Sequence, residues 1–285
     1  MSDKRKKIKQ LEVMVADVVE NTQETITLIL FTGNDLLDYK PGHFLTIDPH
    51  QFEALERWTN YLEDKKGKKE KPRAYSLSSA PDEKYLSITV KEERYTQGKT
   101  MYPPLLSPIL AKRTPKGTRM VITGFTGPYT LIDPVPETLV HICAGSGIVP
   151  NYSIMKYALR NYPEMKHRLL YSNRRWEDTI FGNELLQLQK EFPDQVELVF
   201  SFTREPKSGL PVTCYNRRVD LNMIQEILPN KNDSIYVCGP GLSVYEKKAA
   251  KKEGSKPSPR FLESVLADLE ILGVDKKNIK NESYG

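Results

Sequence analysis

The sequence has few cysteines and histidines in its 285 residues, and their positions exclude several kinds of metal site. The three cysteines, Cys143, Cys214 and Cys238, lie far apart, which matches neither a disulfide framework nor the paired spacing of a zinc site. A plant-type iron–sulfur cluster needs four closely spaced cysteines. The four histidines show no ligand spacing either. We therefore expect no metal and no iron–sulfur domain on this chain.

Long apolar runs and a strong excess of one charge are also missing. No apolar run approaches the roughly 20 residues that cross a bilayer, and the Lys-rich residues 4–9 are not followed by an apolar signal segment. We therefore expect no membrane span and a cytoplasmic location. The net charge is only +5, which does not indicate nucleic-acid binding. Lysine and arginine concentrate at 4–9, 65–73 and 247–256, and such runs indicate either solvated surface or a docking surface for an acidic protein.

The first half of the sequence has the pattern of a β-domain. With 39% hydrophobic and 28% charged residues, the chain is typical of a globular protein, and its length suits two domains. Short strand patterns separated by turn residues predict an antiparallel β-barrel over residues 1–133. Those patterns lie at 11–19, 24–30, 44–47, 73–77, 86–90 and 119–122. Residues 51–62 have one apolar helical face and precede a charged run, so we predict a helical insertion at about 51–72.

Residues 134–285 have a different pattern, in which apolar strands alternate with amphipathic helices. The strand candidates are near-continuous apolar runs, which are typical of a parallel sheet, and they lie at 139–143, 168–171, 196–202 and 234–238. Residues 148–162 and 261–272 each space their apolar side chains along one helical face. The sequence thus predicts a doubly wound α/β domain with a parallel sheet.

A glycine-containing turn joins the first strand of this second domain to its first helix. It contains Gly145, Ser146 and Gly147, and Pro150 follows within the first helical turn, where a proline fits well. Glycines here let the backbone approach a pyrophosphate, and the helix N-terminus adds unpaired N–H groups. A glycine turn after a strand is common. This turn, however, lies between an apolar strand and an amphipathic helix, which predicts a nucleotide site.

Polar and cationic residues follow the next two strands of this domain. Asn173 and Arg174 come after the second strand, with no carboxylate between residues 172 and 175 for a ribose 2′-hydroxyl. Thr203 and Arg204 come after the third. Groups of this kind hold a 2′-phosphate, which favours NADPH over NADH. The alternative is that these arginines are ordinary surface residues at loop ends.

Four segments, in chain order, resemble the motifs of the ferredoxin–NADP⁺ reductase family. They are Arg-Ala-Tyr-Ser-Leu-Ser-Ser-Ala-Pro at 73–81, the glycine-containing turn at 144–150, Val-Cys-Gly-Pro-Gly at 237–241 and Glu-Ser-Tyr-Gly at 282–285. Together they span essentially the whole chain. The resemblance implies an FAD-binding barrel at 1–133 and an NAD(P)-binding α/β domain at 134–285.

The resemblance also implies which residues bind FAD. Within the first motif, which includes Ala74, it implies that Arg73 pairs with the pyrophosphate, Tyr75 lies on the isoalloxazine and Ser76 hydrogen-bonds near N5. These residue types suit a phosphate, a flat ring and a hydride-accepting atom. Ser107 is expected to cap a helix under the pyrophosphate, although the surrounding residues 104–108 depart from the family pattern.

Further residues are implied at the nicotinamide. For the motif Cys238, Gly239 and Pro240, the resemblance implies that the cysteine sulfur lies beside the nicotinamide ring. It also implies that Tyr284 covers the flavin face and that Glu282 relays protons. The residue types alone allow simpler interpretations. A cysteine at a strand end is usually a small buried apolar residue, and a chain end is often frayed.

The sequence therefore predicts an FAD-dependent NAD(P)H oxidoreductase. It is expected to pass hydride from NADPH, or alternatively NADH, to FAD. Because the chain has no cluster, single electrons are expected to go to a separate protein, such as a ferredoxin or an oxygenase component. The lysine runs favour an acidic acceptor. Two alternatives stay open. One is an electron-transfer or nucleotide-responsive subunit that works only inside a complex, and the other is a reductase of free flavins or quinones.

Overall fold

The chain divides into two compact units in the computed structural model. The structure describes residues 9–33, 37–97, 100–205, 209–210 and 212–284, so most of the Lys-rich run at 4–9 and the final glycine of the last motif lie outside it. The N-terminal unit comprises Met1–Gln97 and Met101–Thr130, and the C-terminal unit comprises Gly98–Thr100 and Leu131–Gly285. In the described ranges, no helix combines the length and apolar character needed to cross a membrane.

An antiparallel sheet forms the framework of the N-terminal unit. The described elements of this unit are β1 (Gln10–Thr22), β2 (Thr25–Phe31), β3 (Phe44–Ile47), α1 (Glu56–Lys66), β4 (Arg73–Ser76), β5 (Leu86–Lys91), α2 (Ser107–Lys112) and β6 (Arg119–Thr126). The strand order is β4-β3-β6-β1-β2-β5. The sheet closes where Leu77, just after β4, pairs with Ile88 of β5, and where the Ser78 N–H donates to the Ser87 carbonyl at 2.9 Å. This closure confirms the antiparallel barrel that the strand patterns predict.

Alternating side chains hold these strands in register. Leu45 and Ile47 of β3 are fully buried in the core of the unit, and each such burial contributes about 1.5–3 kcal/mol. Because β3 is anchored in this way, its antiparallel partner β4 is fixed too, with Leu45 opposite Tyr75 and Ile47 opposite Arg73. The core therefore determines how β4 presents its side chains.

The helix between β3 and β4 begins later than the apolar spacing predicts. Residues 49–55 form two single 3₁₀ turns separated by Phe52, whose backbone is extended. This extended residue interrupts a continuous helix, so α1 begins at Glu56 and not at Gln51. The helix ends at Gly67, which adopts the left-handed conformation that favours glycine, with φ 63°.

The C-terminal unit is built around a parallel sheet. Its described elements are β7 (Thr138–Ala144), α3 (Ile148–Asn161), β8 (Lys166–Asn173), α4 (Gly182–Glu191), β9 (Val196–Phe202), β10 (Cys214–Tyr215), α5 (Leu221–Ile227), β11 (Ser234–Pro240), α6 (Val244–Lys252), α7 (Phe261–Ile271) and β12 (Ile279–Tyr284). The strand order is β10-β9-β8-β7-β11-β12, and all neighbours are parallel.

Helices cover both faces of this sheet. Cys143 of β7 packs in a core with side chains of α3 and α4, whereas its neighbour Ile142 packs in a second core with side chains of α5 and α7. This arrangement confirms the doubly wound α/β fold. The chain runs outward from β7 to β10 and then returns to β11 beside β7, so the strand order reverses between β7 and β11. In folds of this kind, ligands bind outside the carboxyl ends of the strands at that switch point.

Candidate functional site

Two glycine-containing segments meet at the switch point of the C-terminal unit. β7 passes into a 3₁₀ turn at Gly145–Gly147, and α3 starts at the next residue. A Cβ atom on Gly147 would lie 2.1 Å from the carbonyl oxygen of Cys238 on β11. No side chain fits in that space. The turn therefore lies directly against the carboxyl end of β11.

The exposed part of this turn is suited to an anion. Gly145 has a left-handed backbone, with φ 53°, and a Cβ atom there would meet nothing within 4 Å. Ser146 is half-buried, and Pro150 lies buried in the first turn of α3. Bare backbone at the start of a helix can approach a phosphate closely and offer N–H groups to it. The geometry thus fits the pyrophosphate of a dinucleotide.

The Cys238–Pro240 segment lies between the turn and the last strand. Cys238 is opposite Cys143 on one side and Glu282 on the other. It is fully buried, and burial raises the pKa of its thiol well above the usual range, with the Cys143 and Glu282 charges adding to the effect. The Cys238 side chain is therefore a neutral thiol that is not ready to act as a nucleophile.

The residues around Glu282 and Tyr284 form an ordered strand. β12 pairs in parallel with β11, so that Glu282 lies opposite Cys238 and Tyr284 lies opposite Pro240. Burial raises the pKa of Glu282 to about 7. Its Oε2 atom is buried and has no hydrogen-bond partner among the described residues. This carboxyl group can therefore hold or release a proton near neutral pH.

The loops after β8 and β9 bring the four predicted phosphate-binding residues together. The Thr203 N–H donates to the Asn173 carbonyl at 3.1 Å, and the Arg204 N–H donates to the Arg174 carbonyl at 2.8 Å. The side chains of Arg174, Thr203 and Arg204 are exposed, whereas Asn173 is buried and its Nδ2 has no partner in the described part of the chain. The loops can thus offer two cations and a hydroxyl to one ligand, while the Asn173 amide stays buried.

A carboxylate that the sequence interpretation did not consider lies beside these loops. Glu205 follows directly after the Thr203-Arg204 pair, and its Oε2 accepts a hydrogen bond from the Trp176 N–H at 2.7 Å. A ribose-binding carboxylate is expected after the second strand, whereas Glu205 follows the third. Because the two loops are joined, Glu205 belongs to the same region of the unit.

The predicted FAD motif lies on β4, at one end of the strand order in the N-terminal unit. Ala74 is exposed, Tyr75 is half-buried against the core and Ser76 is buried. Burial raises the pKa of Tyr75 well above its usual range, so the hydroxyl stays protonated. Arg73 is half-buried, and its Nη2 lies 2.5 Å from Glu70 Oε2.

Glu70 connects the first motif residue to α1. Its carboxylate lies 2.5 Å from Lys66 Nζ as well as 2.5 Å from Arg73. Burial raises the pKa of Glu70, but the hydrogen bonds from Lys66 and Arg73 outweigh it and bring the pKa below its usual range. The sequence interpretation missed this residue because it lies in a run of lysines. Glu70 fixes the guanidinium of Arg73 beside β4.

Ser107 does not cap α2, and that expectation was wrong. It is the first residue of the helix, Leu106 stands at the cap position without a side-chain hydrogen bond, and Pro108 follows in the first turn. The Ser107 hydroxyl instead accepts a hydrogen bond from the Glu93 N–H at 3.2 Å. Since Ser107 is buried, its hydroxyl connects α2 to the segment after β5.

Comparisons with known proteins agree with this architecture. A family model described as "Oxidoreductase NAD-binding domain" matches residues 141–244. The ferredoxin reductase component of 3-ketosteroid-9-alpha-monooxygenase from Mycolicibacterium smegmatis is 28% identical over 267 residues, covering 91% of this chain and 66% of that protein. Ferredoxin–NADP reductase from Thermosynechococcus vestitus is 28% identical over 214 residues, covering 67% of this chain and 55% of that protein. The chain thus spans between about half and two thirds of the length of the curated relatives it matches.

A solved structure extends the agreement to the whole fold. The flavohem-like FAD/NAD-binding domain of nitric oxide dioxygenase from Vibrio cholerae matches with a TM-score of 0.71 and 22% identity, covering 98% of this chain and all of that chain. This likeness concerns the fold. Taken with the sequence relatives and the matched family model, it confirms the resemblance that the four motifs carry. In sequence and in fold, the chain is similar to the ferredoxin–NADP⁺ reductase-like flavoprotein oxidoreductases.

Proposed function

We propose that the protein is an FAD-dependent NAD(P)H oxidoreductase that passes electrons to a separate acceptor protein. One observation carries the proposal, namely the meeting of three of the four motif segments at the switch point of the C-terminal unit. The Gly145–Gly147 turn, the Cys238–Pro240 segment and the strand containing Glu282 and Tyr284 lie side by side there. When bound, FAD accepts two electrons from NAD(P)H and can release them one at a time.

The proposed nicotinamide dinucleotide site uses the backbone for the pyrophosphate and cations for the adenosine end. The Gly145–Gly147 turn and the start of α3 bind the pyrophosphate. Arg174, Thr203 and Arg204 are exposed together and suit a 2′-phosphate, so we propose a preference for NADPH. Glu205 is the group that would favour NADH, but its carboxylate already accepts a backbone hydrogen bond.

The proposed FAD site uses the motif on β4. Arg73 binds the pyrophosphate, Tyr75 lies against the isoalloxazine, and Ser76 hydrogen-bonds to its reactive edge, with Ala74 in the same strand. Because Glu70 already holds the Arg73 guanidinium beside β4, little side-chain entropy is lost when a phosphate binds. Ser107 contributes by fixing the start of α2 through its bond from Glu93.

The proposed nicotinamide end of the site combines a neutral thiol with a titratable carboxyl group. Cys238 lies buried at this end, opposite Glu282, and its raised pKa keeps its thiol uncharged. Glu282 holds a proton near neutral pH because its pKa is about 7. Tyr284 is the aromatic residue that would cover the flavin until nicotinamide binds.

We further propose that the acceptor is an acidic protein. The first turn of α6 follows Cys238–Pro240 by four residues and exposes Val244 and Tyr245. The next two turns expose four lysines, Lys247, Lys248, Lys251 and Lys252. An apolar contact beside a block of like charge suits a partner of opposite charge.

The experiment that tests the function begins with the purified chain. It should be yellow, release FAD on denaturation and be bleached anaerobically by NADPH. Reduction of an acidic protein such as a ferredoxin should then slow as salt rises, because salt screens exposed charges beyond about 8 Å at physiological strength. Reduction of ferricyanide by the same enzyme is the control for effects of salt on the flavin step.

Two variants sharpen the test of the acceptor. Replacing the four α6 lysines with glutamine should abolish most of the salt dependence. Glutamine at the exposed Lys112 and Lys116 is a smaller change of the same kind outside the proposed surface and should leave the salt dependence in place. A colourless chain that never binds FAD would refute the proposed enzyme. Rapid reduction of free flavins or quinones, with no turnover of any protein acceptor, would refute only the acceptor.

A further inference from the structure

Three buried polar side chains form a continuous row beneath the Gly145–Gly147 turn. His167 lies on β8, His141 on β7 and Asn151 on α3, and all three are fully buried. His167 Nδ1 lies 3.1 Å from His141 Nε2, His141 Nδ1 lies 2.8 Å from Asn151 Oδ1, and Asn151 Nδ2 lies 2.9 Å from the Gly147 carbonyl oxygen. The row therefore ends on the turn itself.

The hydrogen bonds in this row have one consistent direction. Asn151 Nδ2 is a donor to the Gly147 carbonyl, so Oδ1 is the acceptor that faces His141. His141 must therefore carry its proton on Nδ1 and accept at Nε2 from His167. Burial lowers the pKa of both rings, that of His141 to about 4, so both are neutral and each has one donor and one acceptor.

Only the far end of the row is unsatisfied. His167 Nε2 is buried without a partner within the described ranges, and in this tautomer it is a bare acceptor. The neighbouring polar group is Cys143, whose thiol is in hydrogen-bond contact with the Asn151 side chain, while the Tyr236 ring lies 6.3 Å from His141.

The end at Gly147 has little freedom to adjust. The opposite side of Gly147 lies against the Cys238 carbonyl, with no room for a Cβ atom. The turn is thus held from below by the Asn151 amide and from the side by β11. Losing the donor on Asn151 would leave the buried Gly147 carbonyl with one fewer hydrogen bond and would loosen the turn at a residue that has no side chain of its own.

We propose that His141 and Asn151 are positioning residues for the nicotinamide dinucleotide, because the row from His167 to the Gly147 carbonyl sets the conformation of the turn that binds the pyrophosphate. The inference rests on the proposed function, since it assumes that the turn binds a dinucleotide. Neither residue touches the ligand. They act through the backbone of Gly145–Gly147.

The test compares dinucleotide affinity with stability. In FAD-loaded protein, Asn151→Asp keeps the size but replaces the donor to Gly147 with an acceptor, and His141→Leu removes the donor to Asn151. Both should weaken NADP⁺ binding about tenfold, the scale of one lost buried hydrogen bond, with FAD content unchanged. His141→Asn can still place an N–H toward Asn151 and should restore most of the affinity. Binding is measured by calorimetry and stability by thermal unfolding.

A matched control separates positioning from simple destabilisation. Val140→Ala removes buried side-chain volume from the same strand on its other face, so it should lower the melting temperature and leave NADP⁺ affinity unchanged. If His141→Leu does not fold, Asn151→Asp and His141→Asn carry the test. NADP⁺ affinity that is unchanged in the row variants, or reduced equally in Val140→Ala, would overturn the inference. Wild-type protein that binds neither dinucleotide would instead refute the proposed function and the inference together.

Discussion

The buried carboxyl group on β12 makes stability depend on pH in a defined direction. Burial raises the pKa of Glu282 from 4.5 to about 7, and its Oε2 has no partner in the described residues that could compensate a charge. The folded protein therefore binds this proton more tightly than the unfolded chain does. The stabilising contribution is fully present below pH 4.5, falls as the pH rises toward 7 and is lost above it.

The size of the effect follows from the two pKa values. A rise from 4.5 to about 7 corresponds to roughly 3 kcal/mol, since one pKa unit is about 1.4 kcal/mol. Glu282→Gln keeps the shape and removes the charge. We expect the variant to match wild type at pH 4 and to exceed its free energy of unfolding by roughly 2–3 kcal/mol at pH 8.

Urea unfolding followed by circular dichroism at pH 4, 6 and 8 measures this difference. Other groups titrate in the same range, so the informative quantity is the difference between variant and wild type at each pH. Glu253→Gln changes an exposed carboxyl group at the end of α6 and should give a difference near zero throughout. A difference for Glu282→Gln that is constant with pH, or that grows toward low pH, would refute the reasoning.

Three further predictions concern the ligands. Arg73→Ala should weaken FAD binding by about 10- to 100-fold, the scale of a charged hydrogen bond. Glu70 keeps its contact with Lys66 in this variant. Unchanged FAD content after dialysis would contradict the proposal that Arg73 binds the pyrophosphate. Arg204→Ala should raise the KM for NADPH about tenfold and leave the KM for NADH nearly unchanged. Arg218→Ala, at another exposed arginine, is the control. An equal rise in KM for both dinucleotides would show that Arg204 does not bind the 2′-phosphate. Tyr284→Ser should tighten NADP⁺ binding and shift the flavin absorption bands, because a ring stacked on isoalloxazine competes with nicotinamide; if neither changes, the ring has no stacking role.

The elements that sequence patterns predict best are those with strong local periodicity. The β3 pattern at 44–47 and the helix from Ile148 onward were placed within one or two residues, because alternation and helical spacing are properties of the segment itself. The start of α1 was missed because the extended Phe52 interrupts a good apolar face. No spacing rule detects such a residue.

Long-range contacts explain what the sequence did not predict. β12 reads Ile-Lys-Asn-Glu-Ser-Tyr, which has no apolar alternation, and its conformation depends on pairing with β11. His141 and His167 are 26 residues apart and meet because parallel strands bring them together. The contact between Glu70 and Arg73 depends on the path of the chain after α1, which a run of charged residues does not specify.

The position of β12 at the edge of its sheet also affects how the protein moves. Among the described strands it pairs with β11 alone, so hydrogen bonds hold it along one side. Segments of this kind open at lower free energy than the strands inside a sheet. Glu282 and Tyr284 can therefore separate from the sheet, and expose their amide protons to exchange, while β7 and β11 stay paired. The strand that carries the titratable carboxyl group and the Tyr284 ring can thus fluctuate locally while the interior of the sheet stays intact.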